Sequence, residues 1–407
     1  MKRVVVVGGG HGAAEAVIAL RQKGWQGEIL MLSDEPYLPY QRPPLSKAYL
    51  NGSVDAEALT LKRSALYEKS AVQIRLNCRV SQIDRRTKTI KLEDGDLVEY
   101  DQLILATGAR ARTIPMPGSD SPKVHYLRTL NDVTAIRSQL FEGAKLVVIG
   151  AGYIGLELAA SARKMGVDVT VLEMLDRVLA RVTCPEISHF FQELHRRNGV
   201  TVRLGSGVTQ LCDKDHQLCA TLTDGTELMA DCVVIGIGVI PNSELAAEAG
   251  LHCDNGVLVN EFAQSSDVDI YAIGDVSNHP NPHYHMRLRL ESVPNALEQA
   301  KVAAANICGV PTLYQALPWF WSDQYTVKLQ TVGILTGYDQ TVLRGDMDSE
   351  KFALFYLKGG ELLAVDAVNS PVDFMQARRV IPLRVRPSLT SLADTSQVWW
   401  EKLSSKA

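Results

Sequence analysis

Residues 4–13 read VVVVGGGHGA, and residues 146–155 read LVVIGAGYIG. Each stretch begins with a run rich in β-branched residues, which is typical of a parallel strand buried on both faces. A glycine turn follows, then a helix-forming segment, then a second apolar run at residues 28–32 or 168–172. Two βαβ units of this kind predict an α/β fold with two Rossmann-like dinucleotide-binding domains.

The glycines of each turn occupy three positions with separate purposes. In the second copy, Gly150 permits the tight turn, Gly152 lets the backbone approach a pyrophosphate, and Gly155 lets helix and strand pack closely. The first copy has Ala13 at the third position, a substitution that the motif tolerates. Phosphates are therefore expected at the N-terminal end of each helix, where free N–H groups point outward.

Acidic residues follow the second strand of each unit. Asp34 and Glu35 follow the first of these strands, and Glu173 follows the other. A carboxylate there accepts hydrogen bonds from ribose hydroxyls and repels a 2′-phosphate, so Glu173 favours NADH over NADPH. Arg177 and Arg181 lie close enough in sequence to oppose this prediction, because arginine is how such sites accept a 2′-phosphate.

The composition excludes several classes of protein. A chain of 407 residues suits roughly two to three domains. Its net charge of −4 argues against a nucleic-acid partner, because no basic excess is present to neutralise phosphates. No apolar run reaches the roughly 18 residues that a membrane span needs. A strand predicted from Arg3 leaves no room for a signal peptide, so a cytoplasmic location is expected.

The cysteines predict neither a metal site nor thiol chemistry. The chain has seven of them, and no two have the spacing of a metal knuckle or of a thioredoxin-type redox pair. We expect them to be small buried hydrophobic side chains in a reducing compartment.

Later segments predict how the domains are arranged. Residues 269–275 read as a strand that ends in an acidic turn, and they resemble a piece of the first unit, so the first domain is predicted to be discontinuous. From residue 319 onward, short strands alternate with glycine turns and a helix is expected at 372–379, which indicates a C-terminal α+β interface domain. The predicted boundaries are 1–112 with 244–318 for the first domain, 113–243 for the second and 319–407 for the third.

Five short motifs support a resemblance to a known family. They are RPPLSK at 42–47, GYIGLE at 152–157, GD at 274–275, ESVPNA at 291–296 and PWFWSDQ at 318–324. With them, the chain resembles the glutathione-reductase-like flavoproteins, and more narrowly the oxygenase-coupled, NADH-dependent ferredoxin reductases of the putidaredoxin reductase type. The resemblance implies FAD in the first dinucleotide domain and NADH in the second. It also implies electron transfer from NADH through FAD to a [2Fe-2S] ferredoxin, which serves a cytochrome P450 monooxygenase or a Rieske-type dioxygenase.

The resemblance implies a role for individual residues as well. On the FAD side, these are Gly8, Gly10 and Gly12 at the pyrophosphate, Asp34 at the ribose, Val80 at the adenine, Arg128 and Asp275 along the phosphates and ribityl chain, and Val293 and Lys47 at the flavin. On the NADH side, they are Gly150, Gly152, Tyr153, Ile154 and Gly155 at the phosphates, Glu173 and Arg181 around the ribose, and Gly238 and Glu157 near the nicotinamide.

Lys47, Glu157, Pro44 and Trp321 are the candidate catalytic residues. A lysine near the flavin would stabilise electron density that arrives with the hydride, whereas an exposed surface lysine is the ordinary alternative. Pro44 stands where related oxidases and disulfide reductases carry a redox cysteine, so the flavin itself must pass electrons on. The prolines also exclude helix before residue 45, so residues 45–47 are predicted to begin the next one.

Two tryptophans occupy alternate positions of a predicted strand, and their side chains should share one face. In one interpretation Trp321 covers the flavin and Trp319 lies near the partner surface. In the other, both rings are core packing at a domain junction.

A patch formed by Arg287, Arg289, Lys301, Arg378 and Arg379 would attract an acidic ferredoxin.

Two other functions stay open at this point. The first is an NADH oxidase or quinone reductase that acts on a small-molecule acceptor. The second is a flavoprotein of the apoptosis-inducing-factor type, which binds a partner in a redox-dependent way.

Overall fold

The computed structural model describes residues 1–400, which form four successive stretches of strands and helices. Up to residue 112 the elements are β1 (Arg3–Val7), α1 (His11–Gln22), β2 (Glu28–Leu32), a 3-10 helix (Pro43–Ser46), α2 (Ser64–Lys69), β3 (Val72–Arg75), β4 (Val80–Asp84), β5 (Thr89–Leu92), β6 (Leu97–Glu99), β7 (Gln102–Leu105) and β8 (Ala109–Ala111). The second stretch holds β9 (Val124–Tyr126), α3 (Leu130–Gln139), β10 (Lys145–Ile149), α4 (Tyr153–Lys164), β11 (Asp168–Leu172), α5 (Pro185–Arg197), β12 (Thr201–Arg203), β13 (Val208–Lys214), β14 (Gln217–Leu222), β15 (Glu227–Ala230), β16 (Cys232–Ile235) and β17 (Val239–Pro241).

The third stretch holds α6 (Glu244–Glu248), β18 (Val257–Leu258), β19 (Ile270–Ala272), a 3-10 helix (Gly274–Val276), β20 (Ser277–Asn281), β21 (Met286–Leu288) and α7 (Val293–Ile307). The fourth holds β22 (Trp319–Gln324), β23 (Val327–Gly333), β24 (Gln340–Asp346), β25 (Lys351–Lys358), β26 (Glu361–Val368), α8 (Pro371–Val380), a 3-10 helix (Ile381–Leu383) and α9 (Leu389–Ala393).

Two five-stranded parallel sheets form the frame, as the repeated glycine motif predicts. Their strand orders are β19-β7-β1-β2-β3 and β12-β11-β10-β16-β9. Strands β1 and β10 lie at the centre of their sheets, because their apolar runs are buried on both faces. The α/β fold class with two Rossmann-like units is confirmed.

The chain crosses between the sheets twice, at one place. Strand β8 follows the first sheet and β17 follows the second, and the two pair antiparallel as a ribbon. Asn242, just after β17, donates through its amide to the Thr107 carbonyl at 2.8 Å. After this return, β19 adds to the first sheet by pairing with β7. The sheet therefore takes strands from both sides of the second unit.

The last stretch forms an antiparallel sheet of order β22-β23-β26-β25-β24. Strand β25 is buried along most of its length, because α8 covers one face of the sheet and α5 contributes Phe190 against Phe352 on the other, with ring centroids 5.0 Å apart. The hairpin predicted at Gly359 and Gly360 joins β25 to β26. The third domain was predicted to end at 407, and residues 401–407 lie outside the described part.

The segment after the double proline differs from the expectation. A helix was predicted to begin at residues 45–47, whereas a single 3-10 turn runs from Pro43 to Ser46 and ends there. Proline is tolerated in a first turn because the N–H that it lacks has no intrahelical partner anyway. Lys47 then leaves helical backbone geometry (φ −128°, ψ −108°), so the turn is not extended.

Among residues 1–400, no helix is long and apolar enough to cross a membrane.

Two glycines of the second turn give a stability prediction. A Cβ at Gly155 would lie 2.2 Å from the Gly150 carbonyl oxygen, whereas a Cβ at Gly152 meets nothing within 4 Å. We expect Gly155→Ala to lower the free energy of unfolding by about 1–3 kcal/mol, because backbone must shift to admit the methyl group. Gly152→Ala is the matched control and should change it much less. Urea titrations of both variants test this, and equal destabilisation would contradict it.

Buried His279 gives a pH prediction. Burial, together with Arg287, lowers the pKa of His279 to about 4 from 6.5. The neutral ring is therefore favoured in the folded state, and the stability that it permits is complete above pH 6.5 and is lost as the pH falls toward 4. His279→Asn should reduce the loss of unfolding free energy between pH 7 and pH 5 by about 2 kcal/mol. Exposed His252→Asn is the control, and an unchanged pH dependence in His279→Asn would refute the assignment.

Candidate active site

A cleft of about 1710 Å³ runs between the carboxyl ends of the two parallel sheets and is closed on one side by β22 and β23. It is large enough for more than one extended ligand, since sites for single small molecules span about 300–1,000 Å³. Most of the predicted site residues line it: Gly8, Gly10, Gly12, Asp34, Lys47, Val80, Arg128, Gly152, Tyr153, Ile154, Gly155, Glu157, Glu173, Arg181, Gly238, Asp275, Val293 and Trp321. Gly150 and Pro44 lie outside the lining, and Pro43 lines it in place of its neighbour.

The two glycine turns have the same construction. A Cβ at Gly8 would lie 2.2 Å from the Ala106 carbonyl oxygen, and one at Gly150 would lie 2.5 Å from the Gly236 carbonyl oxygen, so only glycine fits. Gly10 and Gly152, by contrast, face open space in the cleft. They are the N-caps of α1 and α4, and no side chain caps either helix. Each turn therefore fits an anionic pyrophosphate.

The environment of the first turn favours a negatively charged ligand. His11, at the start of α1, has its pKa lowered to about 4, chiefly by burial and then by the charge of Arg42 and Arg128. Arg128 forms an ion pair with Asp275 at 2.8 Å. Its Nε is buried and has no hydrogen-bond partner among the described residues. These groups fit the phosphate and ribityl oxygens of FAD.

Only one of the two acidic residues after β2 is free to bind a ribose. Glu35 forms an ion pair with Arg42 at 2.5 Å and accepts from the Tyr40 hydroxyl at 2.5 Å. Asp34 is exposed at the cleft, and within residues 1–400 its side chain has no hydrogen bond or ion pair. Position after β2 leaves the two carboxylates equivalent, the family resemblance assigns Asp34 to the ribose, and the contacts of Glu35 agree with that prediction.

Glu173 is held at the end of β11 by backbone. Its carboxylate accepts from the Ala151 N–H at 2.9 Å and from the Leu175 N–H at 3.0 Å, which orients it beside the second glycine turn. Arg177 points away from the cleft and donates to the Thr183 and Ala180 carbonyls. Of the two arginines that oppose the NADH prediction, Arg181 alone lines the cleft.

An ion pair lies where the two halves of the cleft meet. The Lys47 ammonium contacts the Glu157 carboxylate at 2.6 Å, and the exposed fractions of the two side chains are 19% and 7%. Glu157 also accepts from the Ser46 and Ser322 hydroxyls, each at 2.6 Å. Lys47 donates further to the Pro43 carbonyl at 3.1 Å. Lys47 is therefore a half-buried, fixed cation and not a free surface lysine.

One face of α4 explains this arrangement. Tyr153, Glu157 and Ser161 are spaced four residues apart and lie on one side of the helix. The Tyr153 ring packs edge-on against Phe320, with centroids 4.8 Å apart. The Ser161 hydroxyl donates to the Ser46 carbonyl at 2.7 Å. The helix that starts at the second glycine turn thus carries its carboxylate to the Pro-Pro segment of the first unit.

The two tryptophans lie on the face of β22 opposite Phe320 and Ser322. Trp319 and Trp321 are half-buried, line the cleft and have ring centroids 5.8 Å apart, as alternation along a strand predicts. Trp319 also packs on Phe374 of α8, and the Arg378 guanidinium lies 4.8 Å from its ring centroid. Trp319 borders both the cleft and the C-terminal core, which agrees with packing at a domain junction. The flavin contact of Trp321 and the partner contact of Trp319 stay predictions.

Two members of the predicted cationic patch are ion-paired in the structure. Arg289 pairs with Glu291 at 2.6 Å and Lys301 pairs with Glu298 at 2.8 Å, which offsets their charge. Arg378 and Arg379 are exposed together near the end of α8.

Sequence reasoning missed several residues of the site. Arg42 and Ser46 fall within the RPPLSK motif and Ser322 falls within the PWFWSDQ motif, but none of the three received a role. Strand periodicity alone would have placed Ser322 on the face opposite the tryptophans.

The cysteines are all unpaired, and Cys78 is the one that lines the cleft, at the end where Val80 lies. The described residues contain no group that could hold a metal.

Comparison with known proteins agrees with this architecture. The family described as "Pyridine nucleotide-disulphide oxidoreductase" matches residues 2–300, and "Reductase C-terminal" matches residues 319–398. Rhodocoxin reductase of Rhodococcus erythropolis is 44% identical over 96% of this chain and 92% of its own length. Putidaredoxin reductase of Pseudomonas putida is also 44% identical, over 97% and 94% respectively.

A solved structure agrees over the whole fold. The reductase chain in the crystal structure of the covalent putidaredoxin reductase–putidaredoxin complex has a TM-score of 0.96 and 43% identity, covering 99% of this chain and 98% of that one. The resemblance inferred from the five motifs is therefore confirmed. The chain belongs to the pyridine nucleotide-disulphide oxidoreductases, in the group of flavoprotein ferredoxin reductases that carry a Reductase C-terminal domain.

Proposed function

We propose that this chain is an FAD-dependent NADH:ferredoxin oxidoreductase that supplies electrons to a [2Fe-2S] ferredoxin of a P450 or Rieske-type oxygenase system. One observation carries the proposal: a single cleft joins two uncapped glycine turns, and the Lys47–Glu157 pair lies between them. The names of two relatives, rhodocoxin reductase and putidaredoxin reductase, support a protein acceptor.

FAD, when bound, supplies the redox chemistry that links the two-electron oxidation of a hydride donor to the one-electron reduction of an acceptor. The protein's part is to bind, align and set the local charge. The α1 turn, Arg128 and Asp275 would hold FAD, and the α4 turn and Glu173 would hold NADH. Because hydride transfer needs no general acid or base, alignment of the two ligands accounts for much of the rate. The fixed Lys47 ammonium favours added negative charge nearby.

The absence of a thiol in the Pro-Pro segment bears on where electrons go next. Residues 42–47 contain no cysteine, and Pro44 takes the position of the relay thiol of related enzymes. Without that relay, this segment offers no thiol between bound FAD and the acceptor, so the site would support direct transfer to a protein that docks at the cleft. The exposed face of α8 with Arg378 and Arg379, beside Trp319 and Trp321, offers cations and aromatic rings for an acidic ferredoxin.

The domain limits and the location belong to the same proposal. We infer an FAD-binding domain of residues 1–112 and 244–318, an NAD-binding domain of 113–243, and an interface domain from 319. The β8–β17 ribbon at both crossings and the sheet membership of β19 support these limits. A cytoplasmic location suits a chain that draws on NADH and whose cysteines are unpaired.

Dependence on a ferredoxin separates the proposal from its alternatives. With NADH, cytochrome c reduction should rise at least about tenfold when a [2Fe-2S] ferredoxin is added. The reason is that the exposed Arg378 and Arg379 attract an acidic ferredoxin, whereas they repel cytochrome c, which is a basic protein. Equal NADH turnover with oxygen or a quinone alone would favour an oxidase or quinone reductase. NADH-dependent dimerisation with slow reoxidation by every carrier would favour a partner-binding flavoprotein.

The coenzyme prediction is tested at Glu173. Glu173→Gln keeps one acceptor oxygen, for either the Ala151 or the Leu175 N–H group, and removes the charge that repels a 2′-phosphate. The ratio of kcat/KM for NADH to kcat/KM for NADPH should fall about tenfold. Asp176→Asn, an exposed neighbour outside the cleft lining, is the matched control. A wild-type enzyme that uses both coenzymes equally well would contradict the prediction.

A further inference from the structure

A row of buried polar side chains leads from Glu157 into the interior. Ser322 donates to Glu157 Oε1 at 2.6 Å, and Gln324 Nε2 donates to the Ser322 hydroxyl at 3.2 Å. Gln324 Oε1 lies 2.8 Å from His195 Nε2, and His195 Nδ1 lies 3.2 Å from the Tyr325 hydroxyl. Ser322, Gln324 and His195 are each no more than 1% exposed. The row is continuous from the ion pair to the β22–β23 turn.

The direction of every hydrogen bond in this row can be assigned. The Ser322 hydroxyl has one proton, which goes to Glu157, so the Ser322 oxygen accepts from the Gln324 amide. Gln324 Oε1 then accepts, which requires the His195 proton on Nε2. His195 Nδ1 in turn accepts from the Tyr325 hydroxyl. All the donors point toward the Glu157 carboxylate, and bonds aligned in this way polarise one another.

The charge state of His195 agrees with this assignment. Burial lowers the pKa of His195 to about 4, so the ring is neutral and can donate at one nitrogen while it accepts at the other. Within residues 1–400, the hydrogen-bond partners of this ring are the uncharged side chains of Gln324 and Tyr325.

The row joins separate parts of the chain at one point. His195 lies on α5 and Glu157 on α4, whereas Ser322 and Gln324 lie on β22. Both β22 residues are on the strand face opposite Trp321, two positions apart. Lys47 and Ser46 reach the same carboxylate from the Pro-Pro segment. The bonds at the two ends of the row therefore join β22 to α4 through Glu157 and to α5 through His195, and they restrain the relative positions of these elements.

We propose that His195, Gln324 and Ser322 are positioning residues for the Lys47–Glu157 pair, holding the Glu157 carboxylate in one orientation and balancing its charge beside the flavin. This inference rests on the proposed function, which places the flavin at Lys47. His195 touches neither ligand and acts through Gln324 and Ser322. Without His195 or Gln324 the Ser322 hydroxyl is less fixed and less polarised, and without Ser322 the carboxylate loses a donor. In each case the negative charge of Glu157 is less balanced and added electrons on the flavin are disfavoured.

The experiment compares five variants of the FAD-loaded protein: three at His195 and Gln324, one control, and Ser322→Ala. His195→Leu and Gln324→Leu break the row, whereas His195→Gln keeps a donor for Gln324. His189→Leu, an exposed position of the same helix, is the matched control. Stopped-flow reduction by NADH gives the limiting rate and the apparent Kd, and redox titration gives the flavin midpoint potential.

We expect both Leu variants to lower the limiting rate about tenfold with the apparent Kd for NADH within about twofold. The flavin potential should fall by about 30 mV, which is a tenfold change in a two-electron equilibrium. His195→Gln should recover most of both effects, and His189→Leu should match the wild type. Ser322→Ala, which removes only the hydroxyl that reaches Glu157, should reproduce the effects of the Leu variants if those fail to fold.

A purely structural role gives a different result. If His195→Leu and Ser322→Ala lower the unfolding temperature but leave the rate and the potential at wild-type values, the positioning role is wrong. That result leaves the proposed function intact, because the wild-type protein still reduces its flavin with NADH. Failure of the wild type itself to do so would instead overturn the proposed function.

Discussion

The Lys47–Glu157 ion pair is the interaction on which the site depends. Removing an ammonium and a carboxylate from water costs several kcal/mol each, and attraction between them offsets this only when further hydrogen bonds satisfy both groups. Here Ser46, Ser322 and the Pro43 carbonyl supply those bonds. Because the partners come from the Pro-Pro segment, α4 and β22, the pair is stable only when all three are correctly packed.

The two sheets solve the same packing problem by different routes through the chain. Each has at its centre the strand that precedes a glycine turn, β1 or β10. Beside it lies a strand from much later in the same unit, β7 or β16. The fifth strand of the second sheet, β9, comes from just before the unit, whereas that of the first, β19, arrives after the chain has completed the second unit. Strand β19, which precedes Asp275, therefore comes after the whole coenzyme-binding unit in the chain. The two ligand sites are for this reason formed by alternating segments of one polypeptide.

Much of this architecture follows from local pattern, and the rest does not. The glycine turns, the buried strands, the hairpin at Gly359 and the discontinuous course of the chain are encoded in short stretches that act on their immediate surroundings. The choice between Asp34 and Glu35 is not, because it depends on Arg42 reaching Glu35. The 3-10 turn at Pro43 was mistaken for a helix start, since the rules for proline at a first turn do not say how far the helix continues.

Tertiary contacts explain the remaining omissions. His195 reads as an ordinary position on an amphipathic helix, and only the approach of β22 gives it partners. Strand β22 itself has two faces: the tryptophans lie on one, and Phe320, Ser322 and Gln324 lie on the other, which faces α4. Substitutions can alter either face alone, but inserting or deleting one residue would exchange them, putting an indole against the carboxylate. Evolution toward new acceptors is thus restricted to replacing side chains on a strand of constant length.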